Sequence, residues 1–316
     1  MAIQMFFMPE TPNWLVSKGL FFEAEESLRK LRGPGSETVQ ELEGMQKDAV
    51  KSRRGEGFSF SSYISKEHGF PLFLSLGLMF FQQFSGINAV MFYATSIFEE
   101  SGSSLEPKYC TIIIGVAQVL ATIVGSLLVD RLGRKLLLNI SATLHVIALA
   151  SLGGFYYYVE VNKSTGSFGW VPVVSLAVFI IGFSTGYGPI PWLMIAEITP
   201  MSSRSATSAM ATAFNWTCAF LITKFFETLK EVLTKHGTFF MFAIICFISI
   251  LFVVFFLPET KGKSSQEIEA YFSSESSTSN RDNLLKSNVS FLFFFINFKH
   301  LYYLIVYFCI KERHSA

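Results

Sequence analysis

Gln82-Gln83-Phe84-Ser85-Gly86-Ile87-Asn88-Ala89-Val90-Met91-Phe92-Tyr93 sets three amide side chains inside an uncharged run from Gly69 to Phe98. Such a run is long enough to cross a bilayer with some tilt or a break. Lipid offers an amide nothing to bond, and a buried amide without a partner costs on the order of a few kcal/mol. At about 100° per residue, Gln82, Gln83 and Asn88 point in widely different directions on a straight helix. The Ser85-Gly86 pair between them is the expected kink, which would turn the three towards one cavity. Groups that both donate and accept hydrogen bonds suit a neutral, hydroxyl-rich ligand. They also suit the plainer task of joining packed helices. This stretch alone leaves both roles open.

The composition narrows the class. Hydrophobic residues make up 51% of the chain and charged residues 16%, which argues against a water-soluble globule. The net charge of +1 gives no reason to expect nucleic acid. No phosphate-cradling glycine loop, zinc-spaced Cys/His set or nucleophile elbow occurs, so nothing points to an enzyme. Cys110, Cys218, Cys246 and Cys309 lie far apart in apolar runs and read as small buried hydrophobes.

Six apolar stretches are candidate spans: Gly69–Phe98, Tyr109–Val129, Leu136–Val159, Val171–Ala196, Ser205–Thr223 and Gly237–Leu257. Before them, residues 1–8 resemble the last turns of a helix, and residues 9–69 a linker with two short amphipathic helices. In the first helix Glu25/Arg29 and Glu26/Lys30 have i,i+4 spacing, and Gly33-Pro34-Gly35 ends it. Thr38 and Glu41 have capping-box spacing at the start of the second. Lys47, Lys51, Arg53 and Arg54 place this linker in the cytoplasm. Alternation then puts Asp130–Lys135 and Ser202–Arg204 inside, in agreement with Arg131, Arg134 and Lys135. Lys224, Lys230 and Lys235 fall on an expected outer loop and do not follow the rule. Asn162-Lys163-Ser164, also outside, is a glycosylation sequon.

The fourth stretch holds Gly182, Gly186, Gly188, Pro189 and Pro191 before Trp192. Paired prolines remove backbone donors, and such backbone survives in a membrane only where protein buries it or a cavity hydrates it. Interrupted spans are the best sequence pointer to a transporter's binding site. No carboxylate lies in the middle of any span, and His145 reads as a packed residue, so passive transport is the simpler expectation. Residues 259–287 form a polar cytoplasmic tail. Residues 288–316 have the composition of AT-rich codons and read as lying outside the fold.

The motifs together resemble the sugar-porter branch of the major facilitator superfamily, particularly facilitated glucose and trehalose transporters. They are Pro9-Glu10-Thr11-Pro12-Asn13-Trp14-Leu15, Gln82-Gln83-Phe84-Ser85-Gly86-Ile87-Asn88 and Asp130-Arg131-Leu132-Gly133-Arg134-Lys135. Gly188-Pro189-Ile190-Pro191-Trp192, Asn215-Trp216-Thr217 and Pro258-Glu259-Thr260-Lys261-Gly262 follow in family order. The resemblance implies an all-α membrane protein, with residues 70–258 as the six-helix C-terminal half of such a transporter. It implies sugar contacts by Gln82, Gln83, Asn88, Gln118, Trp192 and Asn215. Phe92 and Tyr93 match an outer gate; Asp130, Arg131, Arg134, Glu197 and Arg204 match charges that pair while the cytoplasmic side is closed. Ser184 and Ala219 stand where glucose transporters usually carry a carboxylate and a second asparagine, and Gln118 replaces an asparagine, which leaves room for a disaccharide. The resemblance thus implies a multi-pass protein of the plasma membrane that moves trehalose or a hexose without a cofactor. The alternative is a membrane fragment that pairs with a full-length transporter or an N-terminal half.

Overall fold

The computed structural model of the chain describes residues 9–33, 38–53, 66–101, 106–200, 203–264, 267–268 and 270–272. The expectations for residues 1–8 and 288–316 lie outside the described residues.

Among the described residues, regular structure is helical throughout. Five stretches are long and apolar enough to cross a membrane. The last of them, Arg204–Phe256, is two legs: Thr234 has non-helical dihedrals (φ 64°, ψ 167°) and breaks the helix. Six candidate crossings result among the described residues. The first is interrupted, running as Lys66–Phe84 and Ile87–Ser101. The second is Pro107–Leu132 and the third Arg134–Asn162. The fourth is Val171–Gly182, a π-turn at Phe183–Tyr187, and Ile190–Ile198. The fifth and sixth are the legs 204–233 and 235–256.

One boundary differs from the sequence expectation. The fifth span does not stop at Thr223, and Lys224 and Lys230 are helical rather than on an outer loop. No glycine or proline interrupts the chain between Arg204 and Gly237, so nothing local ends the helix where its apolar content falls. At 1.5 Å per residue this leg is about 45 Å long, more than a hydrocarbon core requires. The excess is long enough for the last turns, with Lys230, to reach past the apolar layer.

The break in the first span falls at Ser85-Gly86. Gly86 has φ 89°, a left-handed conformation open to glycine. The carbonyl of Gln82, deprived of a regular helical donor there, accepts the Ser85 hydroxyl at 2.7 Å. The core around this break is aromatic. Phe81 lies 5.2 Å from Phe252, and Phe226 and Phe242 stack at 6.4 Å. Tyr156 stacks on Phe239 at 5.5 Å and donates to the Ile97 carbonyl, tying the third span to the end of the first. The second span contributes least: Ile112, Val116, Val119, Ile123 and Leu127 all remain exposed.

Among its described residues the linker forms three helices rather than two. Pro12–Lys18, with proline at its start where the missing N–H costs nothing, precedes Phe21–Arg32 and Thr38–Arg53. Leu15, Val16 and Ala24 make a small core with Leu42 and Met45. Glu26 and Lys30 pair at 2.8 Å, and Glu41 takes the Arg32 guanidinium at 2.7 Å. Past the sixth span, Ile268 and Phe272 return to the main core, where Phe272 meets Phe70 edge-on.

Candidate functional site

The amides expected to converge do so. Asn88 Nδ2 donates to Gln83 Oε1 at 2.5 Å, and Gln83 Nε2 donates to Asn215 Oδ1 at 2.9 Å. Asn215 Nδ2 donates to Gln82 Oε1 at 2.7 Å and touches the Met79 sulfur at 3.1 Å. Gln82 Nε2 donates to the carbonyls of Tyr187 and Gly188 at 2.8 and 3.1 Å. One directed chain of hydrogen bonds thus joins both halves of the first span, the fifth span and the interrupted fourth span.

Each terminus of this chain has a local cause. Asn88 reaches Gln83 because the helix breaks between them; on a straight helix five residues apart they would face away from each other. Tyr187 offers its carbonyl because the helical donor for that oxygen would be the N–H of residue 191, which is proline. Gln82, Gln83 and Asn215 are buried and Asn88 is half-buried. Asn88 Oδ1 accepts no hydrogen bond among the described residues, so the partly open end of the chain carries a free acceptor.

Trp192 and Gln118 are placed differently. Trp192 begins the turn after the Gly188 carbonyl and is 41% exposed, with no hydrogen bond to the amides among the described residues. Gln118 is half-buried on the second span, and its side chain does not join the amide chain. Of the outer pair, Phe92 is exposed. Tyr93 is fixed: its hydroxyl donates to the Thr223 carbonyl at 3.4 Å and its ring lies 4.9 Å from Phe226. Lys230 sits over the Phe226 and Tyr93 rings at 5.3 and 6.0 Å.

The charged residues assemble at the opposite end of the bundle. Arg134 contacts Glu197 at 3.0 Å and Asp130 at 3.3 Å, with a further bond to the Val129 carbonyl. Arg204 instead holds the Thr199 carbonyl through Nε and Nη2, and Arg131 offers its carbonyl to Lys261 Nζ.

Two members of this cluster carry no signal of their role in the sequence. Glu259 accepts the backbone N–H groups of Arg134 and Lys135 at 3.1 and 3.0 Å, capping the third span with a carboxylate where the helix dipole favours one. Thr260 donates to Glu197 Oε2. Burial pushes the Glu259 carboxyl up, but the N–H groups of Lys261, Arg134, Lys135 and Thr260 outweigh it and hold the group below its ordinary range. Both residues lie in the quoted Pro258–Gly262 motif, yet they act on groups more than 60 residues away, which no local spacing reveals.

Neutral donors and acceptors inside the bundle and a paired charge cluster at one end can bind an uncharged polar ligand and latch one side. Among the described residues no group of His, Cys, Asp and Glu is placed to hold a metal.

Comparison with known proteins agrees with this architecture. The sequence profile of the family described as "Sugar (and other) transporter" matches residues 1–272. The facilitated trehalose transporter Tret1 of Apis mellifera ligustica is 47% identical over 272 residues, covering 85% of this chain and 54% of the relative. The chain therefore spans about half the length of the curated relatives it matches. Among solved structures, the proton:xylose symporter XylE bound to 6-bromo-6-deoxy-D-glucose superposes with a TM-score of 0.71 at 28% identity, covering 85% of this chain and 56% of that one. The inward-open form of XylE from E. coli gives 0.57 at 27% identity, covering 85% and 53%. The matched profile, the interrupted spans and the ordered motifs together make this chain a member of the sugar transporter family within the major facilitator superfamily.

Proposed function

We propose that this chain supplies the sugar-binding half of a facilitated transporter for a neutral sugar, trehalose or a hexose, working by alternating access in the plasma membrane. The observation that carries the reading is the amide chain from Asn88 to the Tyr187 and Gly188 carbonyls. Each amide there is already hydrogen-bonded, so a sugar hydroxyl exchanges one bond for another and leaves no group orphaned. Asn88 is where exchange begins, because its free oxygen accepts a hydroxyl before any existing bond breaks. Trp192 offers an exposed face for a pyranose ring, and Gln118 extends the polar lining from the second span. Phe92 and Tyr93 close the outer side.

Asp130, Arg131, Arg134, Glu197 and Arg204 form the cytoplasmic gate in this reading. The Arg134–Glu197 pair supports a cytoplasmic side held shut. The test joins this chain to the remaining part of the honeybee relative and measures saturable uptake of labelled trehalose and glucose in oocytes. Gln82→Ala and Trp192→Ala should each raise KM; unchanged uptake in both variants sinks the site assignment.

A second reading rests on the exposed apolar face of the second span. There the chain pairs with a full-length transporter or an N-terminal half and moves no sugar alone. Co-purification with such a partner, and no uptake by the chain itself, would favour it.

A further inference from the structure

The π-turn of the fourth span shows how the Tyr187 carbonyl is kept available. In a regular α-helix the Tyr187 N–H would donate to the Phe183 carbonyl. Here the Gly188 N–H takes that oxygen at 2.7 Å, one residue further along. The displaced Tyr187 N–H crosses to the third span and donates to Ser141 Oγ at 3.1 Å. The Ser141 hydroxyl donates in turn to the Gly182 carbonyl at 2.7 Å. A single hydroxyl therefore takes up one displaced donor and supplies one acceptor of the irregular turn. Ser141 is fully buried, and the approach depends on Gly186: a Cβ there would lie 2.4 Å from Ser141 Cβ.

We infer that Ser141 is a positioning residue that holds Phe183–Tyr187 in its π register, and so sets both the Tyr187 carbonyl for Gln82 and the direction of Trp192. The peptide units flanking Tyr187 are held from two sides, the N–H by the third span and the carbonyl by the first. Without the hydroxyl, the Tyr187 N–H loses its acceptor on the third span, and hydrocarbon offers it none in exchange. The turn then relaxes to i→i+4 bonding and sheds its extra residue. Loss of one residue from the register turns the following helix by about 100° and moves it by about 1.5 Å. Trp192, five residues on, turns with it. The consequence for transport rests on the sugar-site reading above; the consequence for the backbone does not.

The experiment has two arms. On the purified chain in lipid nanodiscs, hydrogen exchange is followed in peptides covering 183–193. Ser141→Ala should speed exchange there about tenfold, the loss of roughly one hydrogen bond, with Ser141→Cys in between. Thr143→Ala removes only a bond within the third span, to the Asn139 carbonyl, and should change nothing at 183–193. In the uptake assay with the honeybee half, Ser141→Ala should raise KM several-fold while surface expression holds. Unchanged exchange in both Ser141 variants overturns the inference; faster exchange with unchanged KM overturns its link to Trp192. If Ser141→Ala does not fold, Ser141→Cys decides by the same readouts. Absence of uptake by the unsubstituted protein would count against the transport reading and leave the exchange result to judge Ser141.

Discussion

Two polar assemblies tie the same bundle together, one inside it and one at its end. The inner one is neutral throughout: Asn88, Gln83, Asn215, Gln82 and two carbonyls of the fourth span. The outer one is charged: Arg134 between Glu197 and Asp130, with Glu259 on the backbone of the third span. The difference follows from the solvent each faces. In hydrocarbon an ion without its partner costs far more than an amide without its own, so an assembly that must exchange partners there has to be neutral. At the water edge, charges can part because water and salt take over when they do. In the proposed transporter, the interior would bind and the rim would latch.

That contrast can be broken in four ways, from the largest effect to the smallest. Arg134→Ala removes a cation shared by Glu197 and Asp130 and leaves Glu197, 21% exposed, without it. A loss of about 2–3 kcal/mol is expected from a partly buried pair, seen as a lower thermal midpoint of the purified chain; an unchanged midpoint would show that the rim holds nothing. Gln83→Leu should cost about 1–2 kcal/mol by stranding Asn215 Oδ1 and Asn88 Nδ2. Adding Asn215→Leu should cost less than the sum of the two single changes, with a coupling of about 0.5–1 kcal/mol; strict additivity in that cycle would mean the inner chain is not a connected unit.

Salt sharpens the comparison. Raising ionic strength from 0.1 to 1 M shortens the Debye length from about 10 to about 3 Å. The part of the Arg134→Ala penalty that comes from the exposed Asp130 should shrink accordingly, while the Gln83→Leu penalty stays constant. Equal salt dependence of both would erase the distinction. The smallest effect concerns pH. The Glu259 carboxyl is held below its ordinary value in the folded chain. Its contribution is therefore complete above the ordinary carboxylate range and fades as pH falls through the lowered folded value. Wild type and Glu259→Gln should then differ in thermal midpoint at neutral pH and converge in acid; a constant gap down to strong acid would rule out this role.

Much of this was legible in the residues. The break at Ser85-Gly86 and the interruption of the fourth span were readable because glycine and proline act on their own backbone and need no neighbour. The six crossings were readable from apolar length alone. The end of the fifth span is not, because no breaker residue marks it and lysines suit a loop and a protruding helix end alike. The pairing of Glu259 and Thr260 with the third and fourth spans is not legible, because their contacts cross more than 60 positions of sequence.

The sequence by itself determined that the chain lies in a membrane, where its helices fail, and that three amides sit beside one of those failures. All of these are properties of short segments and their solvent. Only the tertiary structure decided what each amide holds, that Asn215 closes the chain between Gln83 and Gln82, and that a serine on a third helix takes the N–H displaced by the π-turn. Those pairings depend on how helices approach and rotate against one another, which side-chain packing sets and no single segment encodes.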